Sequence, residues 1–549
     1  MASCHVLLLG GYGFFGRRLA NRLSRIPGVR ITIAGRDARQ AAALAAQLVP
    51  PGEHTGLDAA AADFGAGLVE LRPTVVVNAS GPFQGQDYRI PRACIAAGVH
   101  YVDIADGVAY AAGIAALDAE ARAAGVAVIS GASSVPALSC AVVDGLAAGL
   151  ARVDHIDLGI TPGNRTDRGL STVLAALSYC GQPISAGGAA APVHGWSGTW
   201  SHTYPAPVGR RLLSPCDVPD LALLPGRYPG RSVVRMGAGL ELALLQRGMN
   251  AMAWLARRGW VRDWRPHAVL LKRLSDLLKP FGSDAGAMHV TVQGCDPQGR
   301  PVTRSWHLLA THGEGPFVPT LAATALVRRL AQGIPWPPGA TPCVGLLTPD
   351  EILAEAEGLR ITAATDPEPA PMFESLMGER YRGLHEDVRA FHDLRGTVTL
   401  HGEVRTEPAQ TPLGALLGLA MGTPRVASSG PLRFELCDVD GAQRWTRHFP
   451  HRAMTSRMSV NRGELVERLG PSRLTFKLDE QAGRLHMRLA RMHFLGVPCP
   501  AWLMPRIVAV EEGGQGRLHF DVSASVPGLG RVVGYKGHLV VAGVAEAAA

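Results

Sequence analysis

Residues Val6 to Ala20 read VLLLGGYGFFGRRLA. A short apolar run, a glycine cluster and an arginine-bearing stretch with helical spacing follow one another without a gap. Few folds accept that order. Val6–Leu9 suits a strand buried on both faces and is too short for a helix. Gly11, Gly13 and Gly16 then fall on a G-x-G-x-x-G spacing. In a strand–turn–helix unit the first glycine makes the tight turn. The second lets the backbone approach a pyrophosphate, and the third lets helix and strand pack closely. Arg17–Leu23 supplies the helix, whose N-terminus offers free N–H groups and a positive dipole end. The competing reading is an empty turn, since 65 of the 549 residues are glycine. The strand–helix context favours a dinucleotide cradle.

The end of the second strand decides which dinucleotide. An acid there would bind a ribose 2′-hydroxyl, and an arginine would accept a 2′-phosphate. The chain has Ala34-Gly35-Arg36 followed by Asp37. Arg36 has bidentate geometry available, so NADP is favoured over NAD. Asp37 facing the ribose, or Arg36 on a solvated helix start, are the alternatives. Next, Val75–Phe83 (VVVNASGPF) is an apolar strand ending at Asn78. Strand carboxyl ends face the ligand crevice of a doubly wound sheet. Asn78 there either bonds a ribose or carboxamide, or ends the strand as a turn or cap.

Strand-like runs at His5–Leu9, Arg30–Ala34, Val75–Asn78, His100–Ile104 and Val126–Ser130 alternate with alanine-rich helical patterns such as Arg36–Leu48 and Ala111–Ala124. That alternation predicts a parallel sheet with helices on both faces. Gly181–Gly230 reads as long loops. Arg235–Arg258 reads as a helix with Leu240, Leu244, Ala251 and Leu255 on its apolar side, and Ala268–Leu278 as another. Gly333–Gly345, with four prolines, closes the region. Thr362–Pro371 (TAATDPEPAP) reads as a linker and Met372–Leu394 as helical. Beyond it, period-two runs recur at Val398/Leu400, Leu432/Phe434/Leu436, Leu474/Phe476/Leu478, Leu485/Met487/Leu489 and Leu518/Phe520/Val522. They predict antiparallel sheet, with a hairpin turn at Asp440-Gly441.

GGYGFFG, AGR, NASGPF and Cys94-Ile-Ala-Ala-Gly-Val-His-Tyr-Val-Asp103, in this order, resemble the saccharopine dehydrogenase-like oxidoreductases. The likeness covers residues 1–140 and extends loosely through SGASSVPALS (Ser130–Ser139) and GEGPFVPTLAATAL (Gly313–Leu326). It implies an α/β Rossmann domain, a doubly wound parallel sheet, over 1–140. It further implies an α+β middle domain, placed at 141–361, for substrate binding or oligomerisation. The strand-rich C-terminal domain at 372–549 resembles a bacterial domain of uncharacterised function through FESLMG (Phe373–Gly378), WTRHF (Trp445–Phe449), ERLGP (Glu467–Pro471), GVPCP (Gly496–Pro500) and YKG (Tyr535–Gly537). The resemblance implies that Gly11, Tyr12, Gly13, Phe14, Phe15 and Gly16 lie against the pyrophosphate. Arg36 would hold the adenosine end, and Asn78, Ala79 and Gly81 the nicotinamide side. It yields no matching arginine set for a dicarboxylic amino acid, so saccharopine is disfavoured as substrate.

Other chemistry finds less support. None of the nine tyrosines has a lysine four residues later, so the Tyr-x-x-x-Lys proton donor of short-chain dehydrogenases is missing. Hydride transfer still needs an acid or base. Tyr101, Asp103 and His100 are the candidates by location, against a packed aromatic for Tyr101 and a cap for Asp103. G-x-S-x-G, Walker A and H-E-x-x-H patterns are missing. His448 and His451, without an acidic or cysteine neighbour in sequence, read as a surface pair, and no metal is expected. The net charge of +8 is scattered, with four lysines among 54 basic residues and no like-charge block, so nucleic-acid binding is not expected. Nine cysteines without C-x-x-C argue against disulfides. With neither a leader nor a transmembrane run, the expectation is a cytoplasmic protein. Residues 235–265 combine arginines with Trp254 and Trp260 and suit peripheral membrane contact. The overall reading is an NADP-dependent oxidoreductase acting on a small-molecule substrate, with assembly into a homo-oligomer as a further expectation. The alternative is a non-catalytic ligand- or membrane-binding protein that retains the nucleotide-binding domain.

Overall fold

The computed structural model describes residues 4–541, apart from 190, 231, 298, 300, 367–369, 440, 441 and 462. The chain divides into two compact units: 1–148 with 152–292 and 304–367, and 149–151 with 293–303 and 368–549. The strands in chain order are β1 (Cys4–Leu9), β2 (Val29–Gly35), β3 (Glu53–Gly56), β4 (Val75–Asn78), β5 (His100–Asp103) and β6 (Ala127–Ser130). Then come β7 (Arg152–Thr161), β8 (Pro183–Ile184), β9 (Val193–His194), β10 (Trp200–Thr203), β11 (Arg210–Pro215), β12 (Val233–Ala238), β13 (Gly286–Cys295), β14 (Pro301–Ala310), β15 (Gly339–Pro342) and β16 (Ile361–Thr365).

The first sheet has the order β15-β6-β5-β4-β1-β2-β3, and all its pairings are parallel. Its central strand β1 (CHVLLL) is buried at every position, as a strand covered by helices on both faces must be. Helix Gly16–Leu23 buries Gly16, Leu19, Ala20 and Leu23, the i, i+3, i+4, i+7 stripe of a sheet-covering helix. Strand order reverses between β1 and β4, which opens a crevice at their carboxyl ends. Two strands escape the sequence pattern. β3 (EHTG) is a polar edge strand. β15 (GATP) returns from beyond the second sheet to pair with β6.

The second sheet runs β10-β11-β12-β7-β13-β14-β16, with β8 and β9 paired separately. Here the sequence expectations need correction. The helix expected from Arg235 starts at Ala243 and ends at Arg257, because Val233–Ala238 is β12, parallel to β7. Its buried positions are Gln246 and Ala253, while Leu244 is exposed. Hydrogen bonding selects that face: Gln246 accepts from Leu240 N at 2.8 Å and donates to Ser214 Oγ at 2.8 Å. Within the expected loops of Gly181–Gly230 lie β10 and β11, an antiparallel pair. The expected linker begins in strand, since Ile361–Thr365 pairs with β14. The Ala111–Ala124 pattern is divided among Val108–Gly113, a 3₁₀ turn at Ile114–Leu117, and Asp118–Ala123.

The second unit holds β17 (Thr397–Glu407), β18 (Ser428–Val439), β19 (Ala442–Phe449), β20 (Arg452–Asn461), β21 (Glu464–Leu469), β22 (Ser472–Gln481), β23 (Arg484–Phe494), β24 (Val497–Pro498), β25 (Arg506–Gly514), β26 (Arg517–Val526) and β27 (Gly530–Val540). They form one antiparallel sheet in the order β22-β21-β20-β19-β18-β17-β27-β26-β25-β23-β24. An additional β22–β23 pairing closes ten of these strands into a barrel. All five period-two runs lie in these strands, and their apolar side faces the interior. The expected Asp440-Gly441 turn lies outside the described residues; β18 and β19 on either side of it pair antiparallel. Met372–Leu394 is helical in pieces, at Met372–Met377, a 3₁₀ segment Gly378–Gly383, and Glu386–His392.

Candidate functional site: a cavity at the glycine turn

The turn after β1 is built on backbone proximity. Gly10, one residue before the G-x-G-x-x-G spacing, takes the positive φ of +70° that makes the turn. Gly13 N–H donates to Gly10 O at 2.9 Å, and Arg17 N–H to Gly13 O at 3.1 Å. At Gly16 a Cβ would stand 2.1 Å from Gly10 O and 2.8 Å from Gly11 Cα, so only glycine lets the helix approach the strand. At Gly13 a Cβ would meet only Gly10 O, at 3.0 Å, and its remaining side is open. The N–H groups of Phe14 and Phe15 have no backbone acceptor among the described residues. Unpaired donors at a helix N-terminus beside an open glycine are what an anionic phosphate requires.

This turn forms one end of a cavity of about 1160 Å³. Tyr12, Gly13, Phe14, Phe15, Arg36, Ala79 and Gly81 line it; Gly11 and Gly16 lie behind them in the turn. Tyr12 fills the space beside Gly35, where a Cβ would stand 2.5 Å from its ring, and its hydroxyl accepts from Asp37 N at 3.1 Å. Asp37 is the N-cap of helix Ala38–Gln47. Its carboxylate accepts from Arg39 N at 3.0 Å, Gln40 N at 3.1 Å and Gln40 Nε2 at 2.8 Å. The Gln40 hydrogen bonds hold its pKa below the usual range. Arg36 is exposed on the rim.

Asn78, Tyr101 and Asp103 come together, but inside the sheet rather than on the cavity wall; all three have zero exposure. Asn78 Nδ2 donates to the Tyr101 hydroxyl at 3.0 Å, which bonds Tyr110 at 3.1 Å. Asn78 Oδ1 accepts from Ser80 N at 3.0 Å and from the Ser80 hydroxyl, fixing the wall residue Ser80. Asp103 Oδ1 accepts from Ala105 N at 2.9 Å, Ser130 Oγ at 2.9 Å and Gly131 N at 2.8 Å. Burial nevertheless pushes the Asp103 carboxyl up to about 6.

Among the titratable groups that line the cavity, Asp106, Tyr179, Cys216 and Asp217 are ones the sequence left unmarked. The Tyr179 hydroxyl and Cys216 Sγ are 3.0 Å apart. Burial raises the pKa of all four, the Cys216 thiol to about 12, and the carboxylates of Asp106 and Asp217 push the tyrosine and the thiol further up. Gln84 Nε2 donates to Asp106 at 3.1 Å. The lining also includes apolar Leu177, Met236, Leu245, Met249 and Met252 and the charged Arg168, Lys272 and Asp276. No motif spacing connects Asp106, Tyr179 and the adjacent pair Cys216-Asp217, which come from three separate segments of the chain.

A second polar cluster went equally unmarked. Ligating atoms of Asp157, His202 and His289 lie within 4.8 Å of one another. The His202 and His289 rings stack at 3.6 Å with an interplanar angle of 4°. An ion bound by both would sit well out of each ring plane, away from the nitrogen lone pairs, so this arrangement does not suit a shared metal. His448, read as lacking an acidic neighbour, has one across the ladder: Glu435 Oε2 is 3.2 Å from its Nε2.

Two stretches match known domain families. Residues 6–129 match the saccharopine dehydrogenase NADP binding domain. The N-terminal module is therefore a saccharopine dehydrogenase-type NADP-binding domain. Residues 384–539 match a domain of unknown function, DUF4166. No curated protein matches the chain. Among solved structures, apo saccharopine dehydrogenase (L-Glu forming) from Saccharomyces cerevisiae is 14% identical over 66% of this chain and 100% of its own, with a TM-score of 0.47. GenD2 from gentamicin A biosynthesis, in complex with NAD, is 15% identical over 67% of this chain and 97% of its own, with a TM-score of 0.33. No helix among the described residues is long and apolar enough to cross a membrane.

Proposed function

We propose that the protein is an NADP-dependent oxidoreductase that moves hydride between nicotinamide C4 and a carbon bearing oxygen or nitrogen in a mainly apolar substrate. The observation that carries this reading is the continuous cavity. One end is the glycine turn with free amides, the rim carries Arg36, and the far wall joins Asp106, Tyr179, Cys216 and Asp217 to an apolar lining. NADP rather than NAD is supported by the division of labour at the end of β2. Asp37 is engaged as a helix cap, and the exposed Arg36 is available for a 2′-phosphate.

The bound nicotinamide would supply or accept the hydride. The Phe14 and Phe15 amides would hold the pyrophosphate, with Gly13 leaving room for it. Tyr179 is the proton donor of choice: its hydroxyl stays protonated at neutral pH and lines the cavity 3.0 Å from Cys216 Sγ. Asn78, Tyr101 and Asp103 are assigned to positioning, through Ser80 and the Ser130–Gly131 turn. The test is calorimetric titration with NADPH and NADH, then a substrate screen followed by cofactor absorbance. Absence of binding of either nucleotide refutes the reading.

A second reading concerns location. Leu244, Trp260, Leu277 and Phe281 are 71–73% exposed, on or beside helices Ala243–Arg257 and Ala268–Leu277, with Trp254, Leu270 and Leu274 also exposed. Apolar patches of this kind mark interaction surfaces. With Arg257, Arg258 and Arg262 close by, this one suits a lipid surface of anionic charge. Co-sedimentation with anionic vesicles, reduced by Trp254→Ala and Trp260→Ala together, is the expected result; equal sedimentation with and without vesicles refutes it.

A further inference from the structure

The C-terminal barrel has an interior that is not fully filled. Its walls enclose a cavity of about 120 Å³, lined mainly by apolar side chains. Engineered apolar cavities of similar size, about 150 Å³, stay dry and admit benzene. Five of the lining residues are methionines: Met421, Met454, Met458, Met487 and Met492. Unbranched and flexible, methionines repack around a guest more readily than Leu or Ile. The barrel is apolar inside and polar outside: on β19, Trp445 and Phe449 are buried, whereas Arg444 is exposed. This is the reverse of a membrane-spanning pore, whose outer face is apolar, and it is the pattern of a barrel that encloses small ligands.

Polar groups interrupt that lining. Arg447 projects into it from β19, in register with Phe434 on β18 and Met454 on β20. Its guanidinium lies 5.2 Å from the Trp445 ring centroid and donates to Ser456 Oγ at 3.2 Å. Among the described residues no carboxylate pairs with it within 4.0 Å. The Tyr535 hydroxyl, on the same lining, also has no hydrogen-bond partner among the described residues. By contrast Glu511 is engaged with His392 Nε2 at 2.6 Å. Glu467 is a lining carboxylate too, and any guest must avoid it. Helix Pro412–Met421 turns Leu417 and Met421 to the cavity while Leu413, Leu416 and Leu419 are exposed. Near its C-terminal end, where Gly470 packs on Ala420 and Leu495 N–H bonds Pro471 O, Leu495 and Val497 are exposed as well. An apolar approach to an apolar interior that holds a cation with no carboxylate within 4.0 Å among the described residues, and a hydroxyl near it, describes a site for an amphiphile.

We propose that this barrel binds a short-chain carboxylate about the size of benzene, its tail among the methionines and its head on Arg447 and Tyr535. The experiment is calorimetric titration of the full-length protein with butanoate, butanol and butylamine. Saturable butanoate binding at one site per chain is expected. Arg447→Met weakens butanoate about tenfold or more, the loss of a charge-assisted hydrogen bond, and changes butanol by less than about threefold. Ala509→Phe, which fills the cavity, weakens both. Thermal melting by circular dichroism checks each variant, and Tyr535→Phe replaces Arg447→Met should the latter not fold. Failure of butanoate to bind, preference for butylamine, or binding untouched by Ala509→Phe each overturns the proposal.

Discussion

Gly13 and Gly16 belong to one motif but do different physical work, so replacing each with alanine should fail in different ways. At Gly16 the added Cβ would lie 2.1 Å from Gly10 O and 2.8 Å from two Gly11 backbone atoms. No flexible side chain can yield there, and helix Gly16–Leu23 must lift from β1. Overpacking of this kind costs about 1–3 kcal/mol, and a backbone obstacle puts Gly16→Ala at the upper end. At Gly13 the new methyl meets only Gly10 O, at 3.0 Å, and φ is not in the left-handed region. The unliganded fold should therefore tolerate Gly13→Ala. The methyl would instead occupy the open side where the pyrophosphate approaches. Loss of one hydrogen bond to a charged group is about 1.5–3 kcal/mol, or roughly 10- to 150-fold in affinity. Urea unfolding and calorimetric titration with NADPH measure the two effects separately. Gly13→Ala should keep the unfolding midpoint and lose nucleotide affinity, and Gly16→Ala should lower the midpoint even without nucleotide. Wild-type NADPH affinity in Gly13→Ala, or an unchanged midpoint in Gly16→Ala, would refute the assignment of these roles.

Arg36→Ala should weaken NADPH by about 10- to 150-fold and NADH by less than about threefold, because only the 2′-phosphate contact is lost; equal weakening of both, seen by titration, refutes the phosphate contact. Asp103 gives a pH effect of definite sign. Its folded pKa, about 6, is above the unfolded value near 3.8, so the native state holds the proton more tightly. The associated stability is fully present below the unfolded pKa and is lost as pH rises through about 6, amounting to about 3 kcal/mol at most. Asp103→Asn should therefore flatten stability against pH across that interval, as read by urea midpoints; an unchanged slope would show that this carboxyl is not the group responsible. Asp220, pushed to about 6 by burial, adds a contribution of the same sign that the variant leaves in place.

Much of the architecture is legible in the sequence. Continuous apolar runs such as VVVN mark parallel strands because both faces are covered, and alternating runs such as LRFEL mark barrel strands because one face is wet. Elements without such a signature were missed or misjudged. The edge strand Glu53–Gly56 is polar because water covers it, and Gly339–Pro342 becomes a strand only because the chain returns to the free side of β6. Arg235 carries a strand because Val233–Ala238 finds β7, although the residues around it repeat at helical intervals.

The cofactor end of the site follows the same division. The glycine spacing, Arg36 and the strand-end position of Asn78 are local, since turn geometry and helix–strand contact act over a few residues. The sequence alone therefore determined the cradle, the Rossmann order around it and the inward–outward pattern of the barrel. Tertiary structure decided the rest. It turned Asp37 into a cap, buried Tyr101 and Asp103 behind the wall, brought Tyr179 to Cys216, and set Arg447 on the inner lining of the barrel. Those outcomes depend on which distant segments share a cavity and how much water they exclude, and desolvation and long-range proximity leave no periodic mark in a chain.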